Sequence, residues 1–292
     1  MKFILGTVQF GTAYGVSNTK GKTTQTEVEK ILDLAWKNNI SFLDTAPAYE
    51  DSEKSLGFSA VNKDWGIITK TPHFEQKIIS NNQIHFLEEV FRSSLSNLNR
   101  NSVECLMVHA CDDLFKPGGD KIIRTLEKLK EQSHINKIGI SVYNKHQIDK
   151  VLDNFEIDII QLPVSVLDQR LINDGSLTKL KKYGVEIHAR SIFLQGLLLM
   201  SKESIPDYFL PIFPNLNKLK AKSNELSVSV LELALSFIAN IENIDYAVIG
   251  VNSLKQLQQI LSSSLINLDL DNFYEVSVAD DKFVNPSNWF FE

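Results

Sequence analysis

In one apolar run after another the last residue is polar or ionisable. Phe42-Leu43 ends in Asp44, Ile67-Ile68-Thr69 in Lys70, Met107-Val108 in His109, Ile138-Gly139-Ile140 in Ser141 and Ile159-Ile160 in Gln161, while Ile187 is followed by His188 and Arg190. A charge at the end of a buried strand is costly unless paired, so one such residue alone reads as an ion pair capping a core. A core needs one pair at most. Recurrence from strand to strand points instead to side chains converging on one site. Tyr49 follows Asp44 in the next loop and by itself reads as a packing residue. Beside a lysine its hydroxyl gains a use: a phenol titrates near ~10, the ammonium favours the phenolate and lowers that value, and a carboxylate keeps the ammonium charged and fixed. A neutral histidine can hydrogen-bond a substrate oxygen. Asp44, Tyr49, Lys70 and His109 together would protonate a carbonyl oxygen while a hydride arrives at its carbon.

Other chemistries lack their signatures. There is no HxH, HExxH or CxxC, so no metal is expected, and His109 with His188 makes a poor metal pair. No GxGxxG follows a strand and there is no P-loop, so a nucleotide cofactor would be held by loops. No GxSxG or Cys/His pattern supports an acyl-transfer nucleophile, and Cys105 and Cys111 read as two reduced thiols. With 30 Lys+Arg against 36 Asp+Glu, net −6 and signs interspersed, neither nucleic acid nor an anionic membrane is an expected partner. No apolar run reaches the roughly 18 residues of a membrane span. The start, MKFILGTVQFG, is too soon broken by glycine for a signal peptide. A soluble, cytoplasmic protein is expected.

The elements that must position these residues alternate. Candidate strands lie at 3–7, 41–46, 66–70, 103–110, 137–143, 157–162, 185–191 and 245–251, mostly continuous apolar runs, as a parallel sheet buried on both faces requires. Between them run helical stripes: Val28, Ile31, Leu32 and Ala35, opened by a Thr24-to-Glu27 capping box; Ile84, Leu87, Phe91 and Leu95; Ile122, Leu126 and Leu129; Leu254, Leu257 and Leu261. Eight such units predict a closed (β/α)8 barrel, one domain over residues 1–292. The interval between the seventh and eighth strands is the longest. It holds an inserted loop at about 194–214, rich in proline and aromatics, on the face where barrel active sites are built. A tail from about 265, ending Asn285-Pro286-Ser287-Asn288-Trp289-Phe290, lacks periodicity; it either packs outside the barrel or brings its aromatics to the mouth.

These residues resemble the aldo-keto reductase family. Phe42-Leu43-Asp44-Thr45-Ala46-Pro47-Ala48-Tyr49 with Ser52-Glu53-Lys54-Ser55-Leu56-Gly57 is similar to the family's signature around its catalytic aspartate and tyrosine; Ile68-Thr69-Lys70 resembles the lysine strand and Val108-His109 the histidine strand. The likeness runs from Gly6-Thr7 to Gln256. It implies Tyr49 as general acid, Lys70 and Asp44 as the pair tuning it, and His109 as the group orienting the carbonyl. It implies further that Ser141 and Gln161 hold the nicotinamide carboxamide and that Gly6 and Thr7 form the first cofactor loop. In the loop after the seventh strand, Arg190, Ser191, Phe193, Gln195, Gly196 and Leu197 cover the cofactor, and Gly250, Asn252, Ser253 and Gln256 lie where the family binds the adenosine 2'-phosphate.

Several positions depart from the family's pattern. Val142 replaces an asparagine that contacts the carboxamide, and Arg190 stands where many members stack a tyrosine on the nicotinamide. Asn252 and Gln256 replace basic residues, leaving Lys255 as the nearby cation. NADP(H) is therefore the cofactor the family implies, with NAD(H) the alternative this loop leaves open. The barrel-bottom hairpin of many members has no counterpart before the first strand. Leu5–Gly11, Ala189–Gly196 and the tail near Trp289 resemble a bacterial subgroup associated with surface-sugar biosynthesis, which suggests a carbonyl sugar or sugar nucleotide. The expected activity is NAD(P)H-dependent reduction of a small-molecule aldehyde or ketone. A regulatory barrel that binds cofactor with little turnover and a lyase using Lys70 as a Schiff-base amine are the alternatives. Monomer and dimer both stay open.

Overall fold

The computed structural model describes residues 1–289. Eight strands, β1 (Lys2–Gly6), β2 (Phe42–Asp44), β3 (Gly66–Lys70), β4 (Val103–Val108), β5 (Ile135–Ser141), β6 (Ile159–Pro163), β7 (Glu186–Arg190) and β8 (Tyr246–Gly250), form a closed parallel barrel in sequence order. Closure is made by β1 pairing with β8 from Lys2 opposite Tyr246 to Gly6 opposite Gly250. Eight helices follow the strands in turn: α1 (Gln25–Lys37), α2 (Ser52–Ser59), α3 (Asn81–Leu98), α4 (Asp120–Glu131), α5 (Lys145–Asn154), α6 (Ser176–Lys182), α7 (Val230–Ala239) and α8 (Leu254–Ser262). The expected (β/α)8 architecture is the one observed.

Side chains alternate between two apolar layers, as strand pleating demands. The main core lies between strands and helices. A separate inner cluster of Ile4, Ile68, Cys105, Met107 and Ile159 fills the barrel itself. On β7 this alternation sends Ile187 and Ala189 outward into the main core, leaving Glu186, His188 and Arg190 on the axial face at three depths. His188 therefore does not belong to the mouth, where its place after an apolar residue had put it. It bonds Glu186 through Nε2 at 2.7 Å near the opposite end.

The expected capping box at Thr24 does not form: Thr24 makes no side-chain cap. Glu27 reaches instead to the neighbouring helix, accepting from the Leu254 N–H at the start of α8 at 2.7 Å. Capping boxes form at Ser80 with Gln83 and at Ser229 with Glu232. The long interval after β7 folds as three short 3-10 turns, Leu194–Leu199, Lys202–Ser204 and Asp207–Ile212, leading into a Phe213–Glu225 helix. The tail packs outside the barrel. Phe273 lies 5.9 Å from Phe237, Val278 N–H donates to Leu167 O at 2.8 Å, and Trp289 meets Phe209 at 4.8 Å. No described tail residue lines the mouth, and Phe290 lies outside the described residues. Among the described residues no helix is long and apolar enough to cross a membrane.

Candidate active site

A cavity of about 750 Å³ opens at the C-terminal ends of the strands. Asp44, Tyr49, Lys70 and His109 all line it, although they come from β2, the loop after it, β3 and the end of β4. Lys70 is 2% exposed and Asp44 4%. Lys70 Nζ donates to Asp44 Oδ1 at 2.7 Å and to Thr45 O at 2.9 Å. The other carboxylate oxygen accepts from Gln161 Nε2 at 2.8 Å, so both oxygens of the buried anion are satisfied. The backbone beneath is fixed as well: Thr7 donates to Asp44 O from its N–H at 3.0 Å and its hydroxyl at 2.9 Å, and buried Ser52 bonds Thr7 and Thr45.

Tyr49 is placed by a tight turn, Tyr49 N–H to Ala46 O at 3.0 Å and Ser52 N–H to Tyr49 O at 3.0 Å. Gly11 lies directly against this turn. A Cβ there would sit 1.7 Å from Tyr49 O, so only glycine lets the loop after β1 hold the tyrosine. Lys70 Nζ lies 5.0 Å from the Tyr49 ring centre. The sequence reading expected the lysine to lower the tyrosine's pKa. The net direction is upward: burial of the hydroxyl outweighs the lowering by Lys70, and the Asp44 charge adds to burial. For Lys70, desolvation opposes the charge but Asp44 and Tyr49 more than offset it, so the ammonium is held above its ordinary range. His109 meets the Tyr49 ring edge-on at 6.0 Å and His73 at 4.3 Å. Burial, then Lys70, His73 and Arg190, push its pKa down to about 2, so it is neutral at any ordinary pH.

The remaining cavity runs from this cluster to the start of α8. Gly6, Thr7, Ser141, Gln161, Arg190, Ser191, Phe193, Gln195, Gly196, Gly250, Asn252 and Gln256 line it. Leu197 and Ser253 do not: Leu197 is in the core and the Ser253 hydroxyl caps α8, accepting from Gln256 N–H. Lys255 is exposed and also outside the lining. Arg190 stacks on Tyr143, its Cζ 4.3 Å from the ring centre, and donates to Val142 O at 3.2 Å. The sequence reading passed over Tyr14, Tyr143, Gln9 and Ser17, which also line the cavity. Tyr143 carried a signal, since it ends the fifth candidate strand; Tyr14 and Ser17 sit in an aperiodic loop, and Gln9 in the four-residue helical turn Val8–Gly11.

The lining fits an extended nucleotide. Buried Gln9 Oε1 and Asn252 Oδ1 have no protein partner, and a volume of this size is what a cofactor-sized ligand requires. Ser191, Leu194 and Gln195 adopt positive φ of 63°, 45° and 54°, a conformation costing about 1–3 kcal/mol each that persists at ligand clamps. Gly196 follows at φ 90°, where a Cβ would meet Ser17 Oγ at 1.9 Å; there the loop after β7 closes on the loop after β1, Ser17 N–H donating to Gln195 O at 3.4 Å. Among the described residues no group of three or more His, Cys, Asp or Glu is arranged to hold a metal ion.

The chain is 27% identical over 177 residues to a glyoxal reductase of Bacillus subtilis (59% of this chain), a match spanning only 60% of that protein's length. It is 23% identical over 274 residues to an NADH-specific methylglyoxal reductase of Escherichia coli, covering 82% of this chain and 83% of that one. The fold is that of an aldo-keto reductase of Bacillus halodurans in its holo form, with a TM-score of 0.75, 22% identity and coverage of 100% and 94% of the two chains. The aldo/keto reductase family model matches residues 2–280, and the chain belongs to that family of NAD(P)-dependent oxidoreductases.

Proposed function

We propose that this protein reduces the carbonyl of a small aldehyde or ketone to an alcohol, with Tyr49 as the proton donor. The observation that carries the reading is the buried chain Gln161, Asp44, Lys70 beneath the Tyr49 hydroxyl at the base of an open cavity. Burial keeps Tyr49 protonated until a carbonyl oxygen accepts its proton. Lys70 then stabilises the charge developing on the phenol oxygen, and Asp44 holds the ammonium in place. Neutral His109 orients the carbonyl by hydrogen bonding and does not compete as an acid. When bound, the nicotinamide supplies the hydride to the carbonyl carbon. Gln161 Nε2 is committed to Asp44, so Gln161 offers the carboxamide its Oε1, beside Ser141. Tyr49→Phe should lower kcat by about 10³-fold or more while NADH affinity changes little. Retained turnover in that variant overturns the assignment; tight cofactor binding by the wild type with no oxidation across a broad carbonyl panel would favour a regulatory barrel. A Schiff-base role for Lys70 is disfavoured, because an ammonium paired to Asp44 and held above its ordinary range is the opposite of a free amine.

NAD(H) is the better fit of the two cofactors. Among the described residues no cation lines the cavity beside Gly250, Asn252 and Gln256, and the N-terminus of α8, where a 2'-phosphate would gain most, already holds the Glu27 carboxylate. Lys30 lies 3.9 Å from the other Glu27 oxygen and is largely exposed, so it screens that charge only in part. The NADH specificity in the name of the methylglyoxal reductase relative points the same way. Parallel fluorescence titrations decide it, and a tenfold preference for NADPH would reverse the reading. The named relatives make 2-oxoaldehydes the first substrates to try. The likeness to the surface-sugar subgroup adds carbonyl sugars, for which the hydroxyl and amide groups of Tyr14, Ser17 and Gln195 offer partners. The reading is of a cytoplasmic enzyme, its two cysteines free and buried.

A further inference from the structure

Charge is distributed unevenly between the cavity and the rest of the chain. The protein carries net −6, yet among the described residues lining the cavity the only carboxylate is Asp44, and it is committed to Lys70. Arg190 is the second cation of the lining, and no described carboxylate pairs with it. Its protein contacts are neutral: Val142 O at 3.2 Å, a long contact to Ser191 Oγ at 3.4 Å, and the Tyr143 face at 4.3 Å. Most of the guanidinium's N–H donors thus take no protein acceptor. Stacking on Tyr143 fixes the plane of the group and so prepares the flat, forked edge that recognises carboxylate or phosphate. His109 is neutral and so adds no second positive charge beside it.

Arg190 also sits at the reacting end. It closes β7 and contacts Val142 and Tyr143, which directly follow Ser141 at the end of β5, and its charge reaches Tyr49, His109 and Tyr14. We infer that Arg190 selects carbonyl substrates bearing an anionic substituent, a carboxylate or phosphate, close to the reducible carbonyl. The inference rests on the carbonyl-reductase reading and narrows its substrate class.

The test compares matched pairs: succinic semialdehyde with butanal, 4-carboxybenzaldehyde with benzaldehyde, and glyceraldehyde 3-phosphate with glyceraldehyde. In the wild type the anionic member of at least one pair should show a kcat/KM at least tenfold higher, equivalent to about 1.4 kcal/mol, carried mainly by KM. In Arg190→Met the ratio should fall below threefold, and in Arg190→Lys it should stay between the two. Reading the ratio within each variant keeps a general loss of rate from mimicking the effect. Absence of preference in every wild-type pair, or a preference kept in Arg190→Met, overturns the inference. So does a tenfold loss of NADH affinity in Arg190→Met with the substrate ratio unchanged, which would assign the guanidinium to the cofactor's phosphates. If no aldehyde turns over at all, the reductase reading fails instead. Calorimetric binding of 4-carboxybenzaldehyde and benzaldehyde to the NADH-loaded wild type and Arg190→Met then still decides whether Arg190 holds an anion.

Discussion

The two ends of the barrel use the same residue types to opposite effect. At the mouth, Asp44, Lys70, Tyr49 and His109 surround an open cavity. At the base, Lys137 lies 3.1 Å from Glu186 and 3.5 Å from Glu104, His188 bonds Glu186, and Tyr246 packs edge-on against both His188 (5.2 Å) and Phe42 (5.5 Å). The void among these basal groups is too small for a water. There Lys137 meets Glu186 and Glu104, all three side chains stay part-exposed and buried His188 is tied to Glu186, so the network closes the barrel and leaves nothing to react. At the mouth the ion pair is buried, and a phenol stands over it with room for a carbonyl. A lysine, a carboxylate, a histidine and a tyrosine do not by themselves make a site. Desolvation and open space do.

The sharpest way to break this comparison is to remove the lysine at each end. Lys70→Met should lower kcat by about 10²–10³-fold, because its role is electrostatic, whereas Lys137→Met should leave kcat within about twofold. Lys70→Met also strands a buried carboxylate with only the Gln161 amide, which should cost ~3 kcal/mol by chemical denaturation. The double variant Asp44→Asn with Lys70→Met should recover most of that stability and none of the activity. Steady-state kinetics beside urea titrations separate the two effects; loss of activity in step with stability would mean the pair is structural only.

Much of this was legible beforehand, for definite reasons. Apolar runs ending in polar residues mark buried parallel strands and their C-terminal ends, which is why the sequence alone brings Asp44, Lys70 and His109 together. Depth along a strand is not written in the same way: Glu186, His188 and Arg190 share one face of β7, and only closure of the barrel sorts one to the mouth and two to the base. The Thr24 box failed because a local pattern cannot reveal that Glu27 has a better partner on the last helix. The direction of the Tyr49 shift was missed because it depends on how much of the hydroxyl is buried, a property of the assembled mouth. Tyr14 and Ser17 come from a loop with no period to read.

pH separates the two ends more gently. Tyr49 acts as an acid and its pKa is raised above 10.0, so reduction should stay level through the neutral range and fall only in strong alkali. His109 must be neutral and titrates near 2, so no acid limb should appear near 6.5. A kcat/KM profile with such a limb would remove His109 from the role assigned to it. Stability follows the same signs. His109, with its proton affinity lowered on folding, disfavours the native state progressively as pH falls below 6.5, because the unfolded chain takes up the proton first. Glu186, lowered from 4.5 to about 2 by the His188 hydrogen bond and then Lys137, contributes stability above 4.5 that is lost as pH falls towards 2. Glu186→Gln should therefore flatten the fall in Tm within that lower window alone.

The smallest effect is expected from Lys137→Met, although it removes the centre of two ion pairs. Its partners do not become orphans: Glu186 keeps the His188 contact at 2.7 Å and Glu104 keeps Asn136 Nδ2 at 2.8 Å. The side chains of Lys137, Glu186 and Glu104 are 33%, 28% and 22% exposed, so water takes up much of the released charge. A partly exposed pair of this kind is worth about 0.5–1 kcal/mol, which for a chain of this size moves Tm by about 1–3 °C. Differential scanning fluorimetry at neutral pH resolves a shift of that size. A drop several times larger would mean that the base is as desolvated as the mouth, and the contrast between the ends would then rest on the open cavity alone.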